Sequence, residues 1–248
     1  MPQLQKKIIF KGEIVALSGI MVGGSNSALE IGGVDKQVIR NPINNLPYIP
    51  GSSLKGKMRS LLELINGQVS ESDSRYGKSY GPTHDPSHIA AKIFGHIKHK
   101  QNKNSSQQPS RLIVRDAELT NKEEVKGTEL PFTEVKAENS IDRITSEANP
   151  RFFERVPKDA RFELNMALNI FDIDSDDFTD HIYRALRLVE DDYLGGSGSR
   201  GNGQVKFILK SVTERGADFY TSNNARENDL DIPADFTEKF YKENFLVK

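Results

Sequence analysis

The chain has 248 residues, 36% of them hydrophobic, no cysteine and a net charge of −1; this suits one large domain with its own core and excludes disulfides, thiol catalysis and thiolate metal sites. No apolar run approaches the about 20 residues of a membrane span, and the start MPQLQKK lacks the apolar stretch of a signal peptide, so a soluble, cytoplasmic protein without a membrane partner is expected. The near-zero charge hides an asymmetry: residues 36–59 carry five cations and no acid, residues 92–115 six cations and no acid, and residues 171–192 eight acids against two arginines, which suits a polyanion-binding face backed by a solvated one.

Along the chain, Ile8, Phe10, Ile14 and Ala16 alternate within residues 6–17 and predict a half-buried strand. Residues 52–66 predict a helix, with Ser52 or Ser53 as the cap and Leu54, Met58, Leu61, Leu62 and Ile65 at helical spacing. A second strand is expected over 111–119. The clearest strand lies over 161–170, where Phe162, Leu164, Met166, Leu168 and Ile170 alternate without a break. A helix over 177–193 and a strand over 204–212 complete the order β-α-β-β-α-β, the α+β, ferredoxin-like arrangement also used by RNA-recognition modules. Two large insertions decorate it, at about 77–110 and 120–160. The first contains the low-complexity stretch KHKQNKNSSQQPS, expected to be a mobile loop.

Two glycine motifs invite a nucleotide reading. Gly196, Gly198 and Gly201 spell G-x-G-x-x-G, but here a helix enters the glycines and a strand leaves them, the reverse of a dinucleotide fold. Residues 51–57, GSSLKGK, fit a P-loop except that Met58 stands where a magnesium-binding hydroxyl is needed. A nucleotide-cofactor enzyme is therefore disfavoured. Both loops keep the chemistry of phosphate contact, because glycines and helix N-termini expose N–H groups and Lys55, Arg59 and Arg200 add charge. His84, His88, His96 and His99 cluster in THDPSHIAAKIFGHIKH, a spacing that could hold zinc, although polar positions of a loop and short helix are the better account.

GGSGSRGNGQV after LVEDDYL resembles the C-terminal glycine-rich loop of the RAMP superfamily of CRISPR-associated proteins. IGGVDKQVIRNP, LPYIPGSSLKGKMRSLL and FTEVKAENSIDRITSEANPR narrow the likeness to the repeated backbone subunit of the Csm (type III-A CRISPR) effector complex. The resemblance implies a single RAMP domain over 1–215 with a C-terminal tail over 216–248. It implies copies stacked in a filament along a CRISPR guide RNA, with other Csm-type subunits as neighbours, and cleavage of the complementary target RNA. Asp35, in the glycine-flanked loop Gly32–Asp35, is the implied catalytic and metal-binding residue, with Mg²⁺ or a similar divalent cation as cofactor. A single carboxylate suits attack by the RNA's own 2′-hydroxyl, with Asp35 either positioning the metal or accepting the proton. Guide contacts are expected from Gly51, Ser52, Ser53, Lys55 and Arg59, and from Gly195, Gly196, Ser197, Gly198, Ser199, Arg200 and Gly201. The second insertion resembles the family's thumb, a hairpin between guide and target, in which Arg143 and Arg151 would reach phosphates and Ile141 or Phe152 would wedge against a base. A rival reading keeps the RNA-binding scaffold and makes Asp35 structural. Met21 stands where members often carry a histidine, which removes proton transfer at that position.

Overall fold

The computed structural model describes residues 2–23, 36–74, 77–97, 109–174, 178–222 and 227–246. In chain order they form β1 (Leu4–Ala16), β2 (Tyr48–Ile49), α1 (Gly51–Ile65), β3 (Ser70–Ser74), β4 (Gly77–Gly81), α2 (Ile89–Phe94), β5 (Leu112–Val114), β6 (Ala117–Glu118), β7 (Glu134–Ile141), β8 (Ala148–Arg155), β9 (Arg161–Phe171), α3 (Phe178–Asp191), β10 (Val205–Gly216), α4 (Asp218–Thr221), β11 (Asn228–Asp229) and α5 (Glu238–Asn244). The architecture is mixed α/β, with a five-stranded sheet in the order β11-β10-β1-β9-β5. Every neighbouring pair in it is antiparallel.

Period-two alternation decides which face of this sheet is dry. The predicted sets Ile8, Phe10, Ile14, Ala16 and Phe162, Leu164, Met166, Leu168, Ile170 are all buried. They share one core with Leu54, Met58 and Leu62 of α1 and Ile182, Leu186 and Val189 of α3, so both helices cover the same face. On the other face Val15 and Ile208 pack with Tyr241 of α5. The residues after 215 belong to the packing: β11 pairs with β10, and Phe236 is fully buried against Tyr183, ring centroids 5.8 Å apart.

Two local expectations need correction. The strand expected over 111–119 is split: β5 joins the main sheet, while β6 pairs with β2. The break falls where the Asp116 carboxylate turns to accept the Gly51 N–H at 2.8 Å. That bond also displaces the expected serine cap. The helix starts at Gly51 behind Pro50, which carries no side-chain cap, and the N–H groups of Ser53 and Leu54 bond the Pro50 carbonyl. Within the two expected insertions lie α2 and the hairpin β7–β8; β3–β4 forms a second hairpin that straddles the start of the first. Most of KHKQNKNSSQQPS lies outside the described residues.

Candidate nucleic-acid interface

Beyond β1 the chain pairs Ile20 with Val156 and Gly23 with Val38, and Ile39 N–H donates to the Val22 carbonyl at 2.9 Å. The two stems of the 24–35 segment are therefore zipped together. What fastens the second stem to the hairpin is Glu154, only 4% exposed. Its carboxylate accepts from Val38 N–H at 2.9 Å, Thr133 Oγ1 at 2.7 Å and Arg40 Nη2 at 2.6 Å, enough partners to keep a buried charge. Arg40 also donates to the carbonyls of Asn45 and Pro131. Asp35 lies outside the described residues, with Gly32, Gly33 and Val34. The residue after it, Lys36, accepts from Glu154 N–H at 3.0 Å through its carbonyl.

The glycine loop docks on the first stem. Gly196 N–H donates to the Met21 carbonyl at 2.8 Å, and Gly203 N–H to that of Gly19 at 2.9 Å. A Cβ on Gly195 would lie 2.4 Å from the Met21 carbonyl oxygen, and one on Gly203 2.3 Å from that of Leu194; both residues have φ above +80°. Gly198 is bare because the Tyr193 ring fills the space. Packing and turn geometry thus account for most of these glycines. Residues 198–200 form a single 3₁₀ turn entered through Ser197 at φ 59°, Ser199 and Arg200 are exposed, and Gly201 has open space around it.

Helix α1 meets this loop through Lys57, which pairs with Asp192 at 2.7 Å and lies 3.7 Å from the Tyr193 ring centroid. The cations expected to face RNA are largely committed inside the chain. Lys55 donates to Ser110 Oγ and the Leu112 carbonyl; burial, followed by the neighbouring Arg59, holds its pKa below the usual 10.5. Arg59 bonds Glu63, the Gly95 carbonyl and the Thr83 carbonyl. Arg111, 2% exposed, forms a two-bond pair with Asp174. Gly51 is bare because a Cβ would lie 2.3 Å from the Val114 carbonyl oxygen. Ser52 is exposed and Ser53 half-buried at the start of the helix.

Hairpin β7–β8 exposes Ile141, Arg143 and Ile144 around its turn, beside Asp142 and Glu147. Arg143 and Arg151 are exposed, and neither has an ion pair among the described residues; Glu138 instead meets Arg200 at 2.7 Å and Lys136 at 3.3 Å. Ile141 and Phe152 are exposed as expected, and Ile144, which periodicity did not single out, is 94% exposed. The Asp142 carboxylate closes the turn, accepting from Ile144 and Thr145 N–H at 2.9 and 2.8 Å. Arg155 ties the hairpin's base to the glycine loop, bonding Glu134 and Asn202 at 2.7 and 2.8 Å. His88 Nδ1 shares a 2.8 Å hydrogen bond with Thr83, and His96 is buried. His99 lies outside the described residues, and among those described no three His, Cys, Asp or Glu gather to hold a metal.

The sequence profile described as RAMP superfamily matches residues 13–206, from β1 through the glycine loop to β10. The chain belongs to the RAMP superfamily. Among its RAMP relatives, the CRISPR system Cms endoribonuclease Csm3 of Methanothermobacter thermautotrophicus is 41% identical, covering 88% of this chain and 90% of that protein. The protein of the same name from Streptococcus thermophilus is 43% identical, over 84% of this chain and 90% of its own. In three dimensions this RAMP chain is similar to a crystal structure of the Csm3–Csm4 subcomplex of the type III-A CRISPR–Cas interference complex, with TM-score 0.57, 26% identity, and 92% and 90% of the two chains covered. Sequence reasoning found the motif-bearing segments and weighed Glu138 as a salt-bridge partner of the hairpin arginines, but missed Glu154, the acid that fastens the stem after Asp35 to the hairpin. The signal was present: carboxylates within FTEVKAENSIDRITSEANPRFFER sit oddly in a polyanion-binding hairpin.

Proposed function

We propose that the chain is the guide-RNA-binding backbone subunit of a type III-A CRISPR interference complex, and that it cleaves the target RNA paired to that guide. The observation that carries this reading is the junction: the stems of the Asp35 segment, the glycine loop and the hairpin are bonded to one another at Met21, Glu154 and Arg155. Csm3 endoribonucleases over most of the chain and a Csm3–Csm4 subcomplex in three dimensions support it. We read the sheet order, in which β10 flanks β1 and β5 flanks β9, as the ferredoxin-like, RRM-like core within residues 1–215. On that reading β7–β8 is the thumb and residues 216–248 are a C-terminal tail that packs against the core through β11 and Phe236. Partners are the guide RNA, the target RNA, further copies of the chain in a filament and other Csm-type subunits in the cytoplasm.

In the proposed interface, the start of α1 (Gly51, Ser52, Ser53) and the loop from Gly195 to Gly201 follow the guide backbone. Arg200, Arg143 and Arg151 supply charge, while Lys55 and Arg59 hold α1 in place for it. In the proposed reaction the 2′-hydroxyl attacks its own phosphodiester and the 5′-oxygen leaves, giving a 2′,3′-cyclic phosphate and a 5′-hydroxyl. Asp35 either takes the hydroxyl proton or helps hold a divalent ion. Such an ion, when bound, would neutralise charge on the phosphodiester.

The test is the purified assembly on an end-labelled complementary RNA. Asp35→Ala should lower cleavage by about 10²- to 10⁴-fold, leaving assembly and guide retention intact. Cleavage should stop with EDTA and at a 2′-deoxy sugar placed at the cut. Equal cleavage by wild type and Asp35→Ala removes Asp35 from the reaction, and an assembly without small RNA removes the whole reading.

A further inference from the structure

We propose that Glu138 is an internal stand-in for an RNA phosphate: its carboxylate fills a phosphodiester seat between the hairpin and the glycine loop in the free chain, and an incoming phosphate displaces it. This rests on the RNA-binding reading above.

The seat is a cleft of about 510 Å³ lined by Lys136, Glu138, Asn139, Ser140, Arg151 and Arg200. Three of those six residues are cations and one is an acid. Glu138 Oε2 lies 2.7 Å from Arg200 Nη1, and Oε1 lies 3.3 Å from Lys136 Nζ. Arg151 is its cross-strand partner in the β7–β8 register. The cations are themselves positioned. Lys136 Nζ donates to the Arg200 carbonyl at 2.8 Å, Arg200 Nη2 donates to Ser197 Oγ at 2.8 Å, and the guanidinium stands 5.7 Å from the Phe153 ring centroid.

The carboxylate is a poor permanent occupant. Its side chain is 15% exposed. Both oxygens are shielded from solvent, and neither receives a well-directed hydrogen bond among the described residues. A shielded anion held by charge alone forgoes the directed bonds that repay its dehydration. A phosphodiester brings the same charge, and its two free oxygens could take paired donors from the arginine fork. Arg200 remains 54% exposed, within reach of a ligand arriving over the glycine loop. Glu138 would then set a threshold: an isolated phosphate must compete with an intramolecular anion, whereas a long RNA held at neighbouring sites need not.

The experiment uses the full chain stripped of RNA and a labelled single-stranded oligoribonucleotide, titrated over a range of salt. Glu138→Gln should bind about five- to tenfold more tightly at low salt, with a steeper salt dependence, because a cationic cluster freed of its acid gains one phosphate contact. In an Arg200→Ala background the same substitution should gain less than twofold, since the seat has lost its main cation. Glu138→Asp, which shortens the acid, should lie between wild type and Glu138→Gln. If the Glu138 and Arg200 variants melt like wild type and Glu138→Gln binds no more tightly, the stand-in is overturned while RNA binding stands. An equal gain with and without Arg200 overturns the seat. A wild-type chain that binds no RNA overturns both this inference and the function beneath it.

Discussion

Gly195 and Gly196 are neighbours that answer to different demands. At Gly195 a side chain would need positive φ and would strike the Met21 backbone, so Gly195→Val should cost at least about 1–3 kcal/mol from strain alone and undock the loop from residues 19–23. At Gly196 the only close approach of an added Cβ is to the end of the Met21 side chain, at 2.7 Å, which can turn away. Gly196→Ala should therefore melt within a degree or two of wild type, and any loss of RNA affinity in it reports contact rather than folding. Circular dichroism melts beside RNA titrations check both. The sequence shows where glycines crowd but not which are needed, because the need arises from Met21 and Tyr193, distant neighbours or ring positions invisible in a motif. Cations carry hidden partners in the same way. The surplus over residues 36–59 reads as a binding surface, yet Arg40, Lys55, Lys57 and Arg59 all have internal partners. Arg111 is the extreme case. Asp174→Ala would leave its guanidinium buried and unpaired, at a cost of about 3–5 kcal/mol, seen as a lower urea midpoint with unchanged slope.

Among the elements, those whose pattern is local were legible and those whose ends depend on a partner were not. Strand β9 alternates along its whole length and declares itself; the break between β5 and β6 depends on Asp116 reaching the start of α1, a contact between residues 65 positions apart. The β7–β8 hairpin was legible only by resemblance, since most of its residues are exposed and carry no core pattern. Its tip separates order from adhesion. Ile144 contributes almost nothing to the fold at 94% exposure, so Ile144→Ser should leave the melting temperature unchanged and weaken capture of target RNA by the guide-loaded assembly, as a gel-shift titration would record. Asp142 does the opposite task. Bonds from Thr145 and Ile144 hold its carboxyl below the usual 3.8, so its charged form favours the native turn. That contribution is present above pH 3.8 and disappears as pH falls through the lower native value. Asp142→Asn should fray the tip at neutral pH, raising amide exchange at Ile144 and Thr145.

For the molecule as a whole, the last residues are structural although no motif marks them. Arg187 and Asp235 form a two-bond pair at 2.6 and 3.0 Å, and Phe236 and Tyr241 are buried. The bond from Arg187 lowers the Asp235 pKa from the usual 3.8, so this anchor persists above pH 3.8 and loosens as pH drops through the lower value of the native state. Removing residues 230–248 should cost about 3–6 kcal/mol for the two aromatic side chains, whereas Asp235→Asn should cost only about 1 kcal/mol because the pair is partly exposed; chemical denaturation distinguishes them. Elsewhere in the molecule, Glu154 joins three pieces that differ in role: the stem after Asp35, the turn at Thr133 and the hairpin strand β8. Parts clamped to one buried carboxylate cannot slide against each other. On the proposed reading, the hairpin that parts two nucleotides and the stem that follows Asp35 thus share one fastening, and a stack of such chains would measure RNA in equal lengths whatever its sequence.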